Sequence, residues 1–239
     1  MSSVASSQWW QKSLAEEGVR AMDRLLPADA SWSEVVASGR QDFERARQLT
    51  GLQTGPDRVA VEIGCGVGRM TAVLAEHFGR VVGLDVAPAL LEAARRNISL
   101  PHVSFEACDG RCIRPQGLAA ADTVFSYEVL YLVRPAVLAD YFRDVFRLLR
   151  EQGEFVFQLN LEPLRWRTRL SYLVRDVLYR VGITHWRGWP TGPGFRRHAY
   201  QRDWVCQKLS EAGFVVARVV APNRRETWFV ARKPPVSAG

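Results

Sequence analysis

The stretch Val59-Ala60-Val61-Glu62-Ile63-Gly64-Cys65-Gly66-Val67-Gly68-Arg69-Met70-Thr71 decides how this chain is read. A mostly apolar, β-favouring run enters three glycines at alternate positions, and helix-compatible residues follow as far as Phe78. This predicts a strand that stops at a ligand. Gly64, Gly66 and Gly68 lack a Cβ, so the main chain can take left-handed angles and let a ligand lie against it, with the first amides of the next helix facing that ligand. Val81-Val82-Gly83-Leu84-Asp85 is a second apolar run. It ends in a carboxylate seventeen residues after Gly68, where a ribose diol could be held by two hydrogen bonds.

A dinucleotide fingerprint requires G-x-G-x-x-G, whereas this chain has G-x-G-x-G and carries Arg69 at the last dinucleotide position. The run Glu62 to Gly68 instead resembles the E-x-G-x-G-x-G signature of class I S-adenosylmethionine-dependent methyltransferases. The likeness extends from about residue 57 to 160 through Asp85, Phe105 to Gly110, Asp122 to Leu130, and the helix-to-strand segment Phe146 to Phe155. Leu132 stands where many relatives carry His, and Glu151-Gln152-Gly153 replaces the commoner Pro-Gly-Gly. The resemblance implies S-adenosylmethionine as cofactor and S-adenosylhomocysteine as product. Asp85 would hold the ribose and Asp109 the adenine amino group. Glu62, Gly64, Cys65, Gly66, Gly68, Val86, Gly110, Ser126 and Tyr127 complete the implied cofactor set. Asp85 could alternatively cap the helix that starts at Pro88, Asp109 could be a turn residue, and Glu62 could pair with Arg69.

With 239 residues and 47% hydrophobic side chains the chain can bury a full core. Met1 to Lys12 shows no secretory pattern and no apolar run reaches membrane-spanning length, so a cytoplasmic location is expected. Cys65, Cys108, Cys112 and Cys206 form no C-x-x-C pair, so neither a metal site nor a disulfide framework is expected. Net charge is +7. Most of the excess lies in residues 160 to 200, where eight arginines face only Glu162 and Asp176.

Taken in order, residues 1 to 56 predict a helical cap: Trp10, Leu14, Met22 and Leu25 recur at helical spacing up to Pro27, and Trp9 and Trp10 read first as core anchors, with contact to a substrate as the alternative. A second helix opens at the capping box of Ser31 and Glu34, is interrupted at Gly39 and resumes to Leu49. Residues 57 to 239 form the main domain. Strands over Val59–Ile63, Val81–Asp85, Val103–Ala107, Asp122–Ser126 and Glu154–Leu159 alternate with helices, the pattern of a doubly wound, mainly parallel α/β sheet. Phe214–Val220 and Glu226–Ala231, joined by a short turn, must pair antiparallel. Seven strands with an antiparallel last strand are therefore expected.

Residues 160 to 200 predict a lid inserted after the fifth strand. An amphipathic helix from Leu164 to Val181 would lay Leu170, Leu173, Val174, Val177, Leu178 and Val181 over the rim of the site; contact with an anionic membrane is the alternative. Trp166, Trp186, Trp189 and Tyr200 are candidate substrate-lining residues, and His185, His198 and Tyr127 candidate catalytic ones. The expected partner is a small-molecule acceptor with an oxygen, nitrogen or carbon nucleophile. Arg and Trp interleaving would also suit a nucleic acid, but no Asn/Asp-Pro-Pro-Tyr/Phe tetrad follows the fourth strand, so none is expected. A non-catalytic cofactor-binding regulator is the remaining reading.

Overall fold

The computed structural model describes residues 27, 29–187, 189–192 and 196–235, with the backbone alone at 189 and 190. The helix expected over residues 7 to 26, with Trp9 and Trp10, lies outside the described residues. The strands are β1 (Gly55–Ile63), β2 (Phe78–Asp85), β3 (Val103–Ala107), β4 (Ala121–Ser126), β5 (Leu149–Leu159), the two-residue pair β6 (His185–Trp186) and β7 (Trp189–Pro190), then β8 (Val215–Val220) and β9 (Thr227–Arg232). The helices are α1 (Trp32–Thr50), α2 (Arg69–Leu74), α3 (Pro88–Asn97), α4 (Pro135–Leu148), α5 (Trp166–Arg180) and α6 (Arg202–Glu211).

Seven strands form one sheet in the order β3-β2-β1-β4-β5-β9-β8, and β6 pairs with β7 alone. The pairs from β3 to β5 are parallel, and β9 runs antiparallel to both β5 and β8. The expected closing hairpin is therefore present, with the last strand of the chain between its two neighbours. Every residue of β4 is buried, as a strand covered on both faces requires. On one face Leu138, Phe142 and Val145 of α4 and Val205 and Leu209 of α6 meet Phe155, Phe157 and Phe229. On the other, Val36, Phe43 and Ala46 of α1 and Val73 and Leu74 of α2 meet Phe125, Val156 and Trp228.

Two local expectations need correction. Helix α1 opens with the expected capping box, but it runs unbroken through Gly39. A Cβ at Gly39 would lie 3.0 Å from the Arg69 carbonyl oxygen and 3.2 Å from Val73 Cγ2, so glycine there permits close packing on α2. Close approach outweighs the modest helix penalty of one glycine. The second correction concerns α5. Its buried residue is Arg175, while Leu170, Leu173, Val177 and Val181 are exposed. The expected apolar face is divided: Leu170, Leu173, Val177 and Val181 point to solvent, while Val174 and Leu178 are half-buried with Thr168 and Tyr172 beside Arg175.

Candidate active site

Parallel strands deliver their ligand-bearing ends to one edge of the sheet. At the end of β1 the chain turns through Gly64, Gly66 and Gly68, with φ of 78°, 55° and 94°, all in the left-handed region. The amides of Gly64 and Cys65 donate to the Leu84 carbonyl at 2.8 and 3.0 Å, and the Gly66 amide donates to the Asp85 carboxylate at 2.9 Å. The second oxygen of Asp85 accepts the Ala87 amide at 3.0 Å. Asp85 thus joins the glycine loop to the start of α3, as well as standing where the ribose is expected. Burial pushes its carboxyl above the ordinary aspartate range, and the amides of Ala87, Gly66 and Val86 oppose that rise. A carboxylate offers about four acceptor sites. With three amides engaged, one acceptor site remains for a ribose hydroxyl, so the residues present fit a nucleoside.

Glu62 is buried on β1, two residues before Gly64, with the Thr71 hydroxyl donating to it at 2.5 Å. Burial lifts its carboxyl to about 7, against the Thr71 hydrogen bond and the Arg69 charge. Arg69 makes its ion pair with Asp42 of α1, at 2.6 Å, not with Glu62. Cys65 is buried beside Gly83, and burial holds its thiol well above the usual range. Its side chain is packing, so its contribution to the loop is its amide. Asp109 Oδ1 accepts the amides of Arg111 and Cys112 at 2.8 and 3.0 Å, closing a turn after Gly110, whose φ is 69°. Ser126 is fully buried and donates to the Ile63 carbonyl at 3.0 Å, tying β4 to β1.

Residues 60–153 match the Methyltransf_25 family, described as a methyltransferase domain. The chain is 30% identical to Nodulation protein S of Rhizobium tropici over 147 residues, 59% of each chain. It is 34% identical to trans-aconitate 2-methyltransferase of Methylobacterium radiotolerans over 107 residues, 42% of this chain and 39% of that one. It thus spans less than two thirds of the length of these curated relatives. Among solved structures, the N-methyltransferase NodS from Bradyrhizobium japonicum WM9 in complex with S-adenosylhomocysteine superposes with a TM-score of 0.60 at 19% identity, over 96% of this chain and 98% of that one. Residues 60–153 thus match a methyltransferase domain, and the chain resembles class I S-adenosylmethionine-dependent methyltransferases.

The rim around the end of β4 is built by residues from distant parts of the chain. Tyr127 stacks on Trp228 of β9, with centroids 5.6 Å apart and planes 7° from parallel, and the Arg69 guanidinium lies 5.6 Å from its ring centroid. Its hydroxyl bonds to Asp42, and burial, followed by the Asp42 and Glu128 charges, drives its pKa far above the ordinary tyrosine value. A phenol so held cannot serve as a base near neutral pH. Glu128 has φ 58°, a left-handed conformation rare outside glycine, and accepts the Tyr131 hydroxyl at 2.6 Å. Loss of surrounding water raises its carboxyl, the Tyr131 hydrogen bond opposes this, and Asp42 adds to it.

The remaining expected residues are distributed unevenly. His198 reaches the rim through its amide, which donates to the Tyr131 carbonyl at 2.7 Å; burial and then Arg134 hold its imidazole below the usual range. His185 is exposed on β6, with Nδ1 3.2 Å from Thr184 Oγ1. Trp186 carries the Arg187 guanidinium 4.9 Å from its ring centroid. Trp166 is 69% exposed. Tyr200 is core: it donates to the Val133 carbonyl and its ring lies 5.6 Å from Trp204. The side chain of Trp189 lies outside the described residues. No motif in the sequence marks Asp42, and the left-handed backbone of Glu128 leaves no trace in residue type.

Proposed function

We propose that this chain is an S-adenosylmethionine-dependent methyltransferase that acts on a nitrogen nucleophile of a small molecule. The bound cofactor supplies a methyl group already activated on a sulfonium, so the chain's task is alignment, water exclusion and, where needed, removal of one proton. Asp85 accepts a ribose hydroxyl and the free side of Asp109 the adenine amino group; the glycine loop lies under the nucleoside. The observation that carries the choice of nitrogen is Glu128 beside Tyr127: Asp42 is held by Arg69, whereas Glu128 accepts the neutral Tyr131 hydroxyl, within a chain of net charge +7. A local negative field attracts an ammonium and repels a carboxylate or phosphate. The acceptor amine must be neutral to attack. Glu128, raised above the ordinary glutamate range, is placed to take its proton. Tyr127, braced by Trp228 and Arg69, forms one wall.

The N-methyltransferase among the structural relatives supports the same choice. The deciding experiment is transfer of labelled methyl from S-adenosylmethionine to a panel of amino sugars, amino alcohols and diamines beside matched phenols and carboxylic acids. Turnover confined to the amines is expected. Turnover of phenols or acids alone would overturn the nitrogen reading.

A further inference from the structure

Helix α5 presents a stripe of apolar residues outward, with Val174 and Leu178 half-buried on its other side. Trp166, Leu170, Leu173, Val177 and Val181 follow one another at the i, i+4, i+7, i+11 and i+15 spacing of a single helix face, and their exposures are 69%, 52%, 64%, 60% and 67%. Ile183, also exposed, continues the stripe past the helix end. The residue buried against the body is Arg175, whose guanidinium sits 5.7 Å from the Tyr172 ring centroid. A helix that buries an arginine and exposes leucine, valine and tryptophan has its partner on the outside.

The charges around the stripe identify that partner's chemistry. Arg165, Arg167, Arg169, Arg180 and Arg187 are exposed. The two acids of residues 160 to 200 are already engaged, Asp176 by Arg196 at 2.5 Å and Glu162 by Arg225 at 3.1 Å. The face is therefore an apolar strip bordered by uncompensated positive charge. An isologous contact between two copies would bring arginine borders together. Arg167 and Arg187 lie over Trp166 and Trp186, 5.4 and 4.9 Å from the ring centroids, so amphipathic rings stand beside cations at both ends of the segment. Among the described residues no helix is long and apolar enough to cross a membrane, so this face can lie on a bilayer but not span it.

We propose that α5 docks the protein on an anionic membrane surface, with Trp166, Leu170, Leu173, Val177 and Val181 entering the boundary between headgroups and acyl chains and the flanking arginines meeting anionic headgroups. The test is flotation of the full chain with phosphatidylcholine vesicles, with and without phosphatidylglycerol, at low and high salt. The chain should float only with the anionic vesicles and release at high salt. Leu173→Glu combined with Val177→Glu should reduce partitioning by about ten-fold or more, and Arg169→Gln by about five-fold. Both variants change exposed side chains and should keep wild-type affinity for S-adenosylhomocysteine, which separates lost docking from lost folding. Failure of the wild type to float, or undiminished flotation of the double glutamate variant, overturns the proposal. So does a dimer in light scattering that the double variant splits while vesicles have no effect, because the stripe would then be covered by a second copy.

Discussion

The carboxylate of Asp85 accepts the Gly66 amide at 2.9 Å, so the end of β2 holds the middle of the glycine loop. One side chain thereby shapes the cradle and, in the function proposed above, also holds the ribose. Asp85→Ala should weaken binding of S-adenosylhomocysteine by roughly 1 to 3 kcal/mol and also lower the unfolding midpoint, since buried amides lose their acceptor. Asp85→Asn retains an acceptor oxygen and should recover part of the stability. Calorimetry and thermal melting of the two variants check both effects. Lost stability with unchanged affinity would leave Asp85 as a loop clamp alone.

Glu62 makes the free protein sensitive to pH. Its carboxyl titrates at about 7 in the folded state against 4.5 as a reference, so the native chain holds a proton that the unfolded chain has released. Stability should therefore fall as pH rises between those values and level off above them, a loss of roughly 3 kcal/mol. Glu62→Gln, which still accepts from Thr71, should abolish that slope. Urea unfolding at about pH 5 and about pH 8 measures it, and equal slopes in the two proteins would refute the assignment.

Gly64 is required twice over. Its φ is 78°, and a Cβ there would lie 2.4 Å from Val129 Cγ2. Gly64→Ala should cost about 1 to 2 kcal/mol from the left-handed backbone and a further ~1 to 3 kcal/mol from overpacking. Adding Val129→Ala should restore the packing part but not the backbone part. Chemical denaturation of the single and double variants separates the two, and a double variant no better than the single would deny the contact.

Proton removal can be assigned by comparing Glu128→Gln with His198→Ala. With Glu128 as the acceptor of the proton, its variant should lose about 10² to 10⁴ in kcat on amines, while His198→Ala keeps kcat within about ten-fold. Both should leave cofactor affinity unchanged. In the wild type, rate should rise with pH through the raised carboxyl pKa of Glu128. A large loss in His198→Ala alone would move the role to the imidazole.

The sheet and the cofactor cradle were legible because their determinants are local: alternating apolar runs, three alternate glycines and Asp85 at a strand end. The rim was not. Asp42, Arg69, Tyr127 and Trp228 come together through packing of α1 on α2 and insertion of β9, and no spacing along the chain encodes that meeting. Gly39 shows the same limit. It reads as a helix breaker in sequence, and only the neighbouring Arg69 carbonyl explains why the helix continues with glycine there. For α5 the periodicity was correct while the direction of most of its apolar face was not. Helical spacing defines an apolar face without saying which side meets the protein.

The position of β9 also has a consequence for synthesis. Thr227–Arg232 is the last strand of the sheet to leave the ribosome, yet it fills the slot between β5 and β8. Until it arrives, β5 has an open edge bearing Phe155 and Phe157, a hazard for a nascent chain. Tyr127 likewise lacks Trp228, the ring it rests on. A chain stalled before residue 227 would hold the glycine loop and Asp85 but no finished rim, so translation yields a cradle first and a working mouth last.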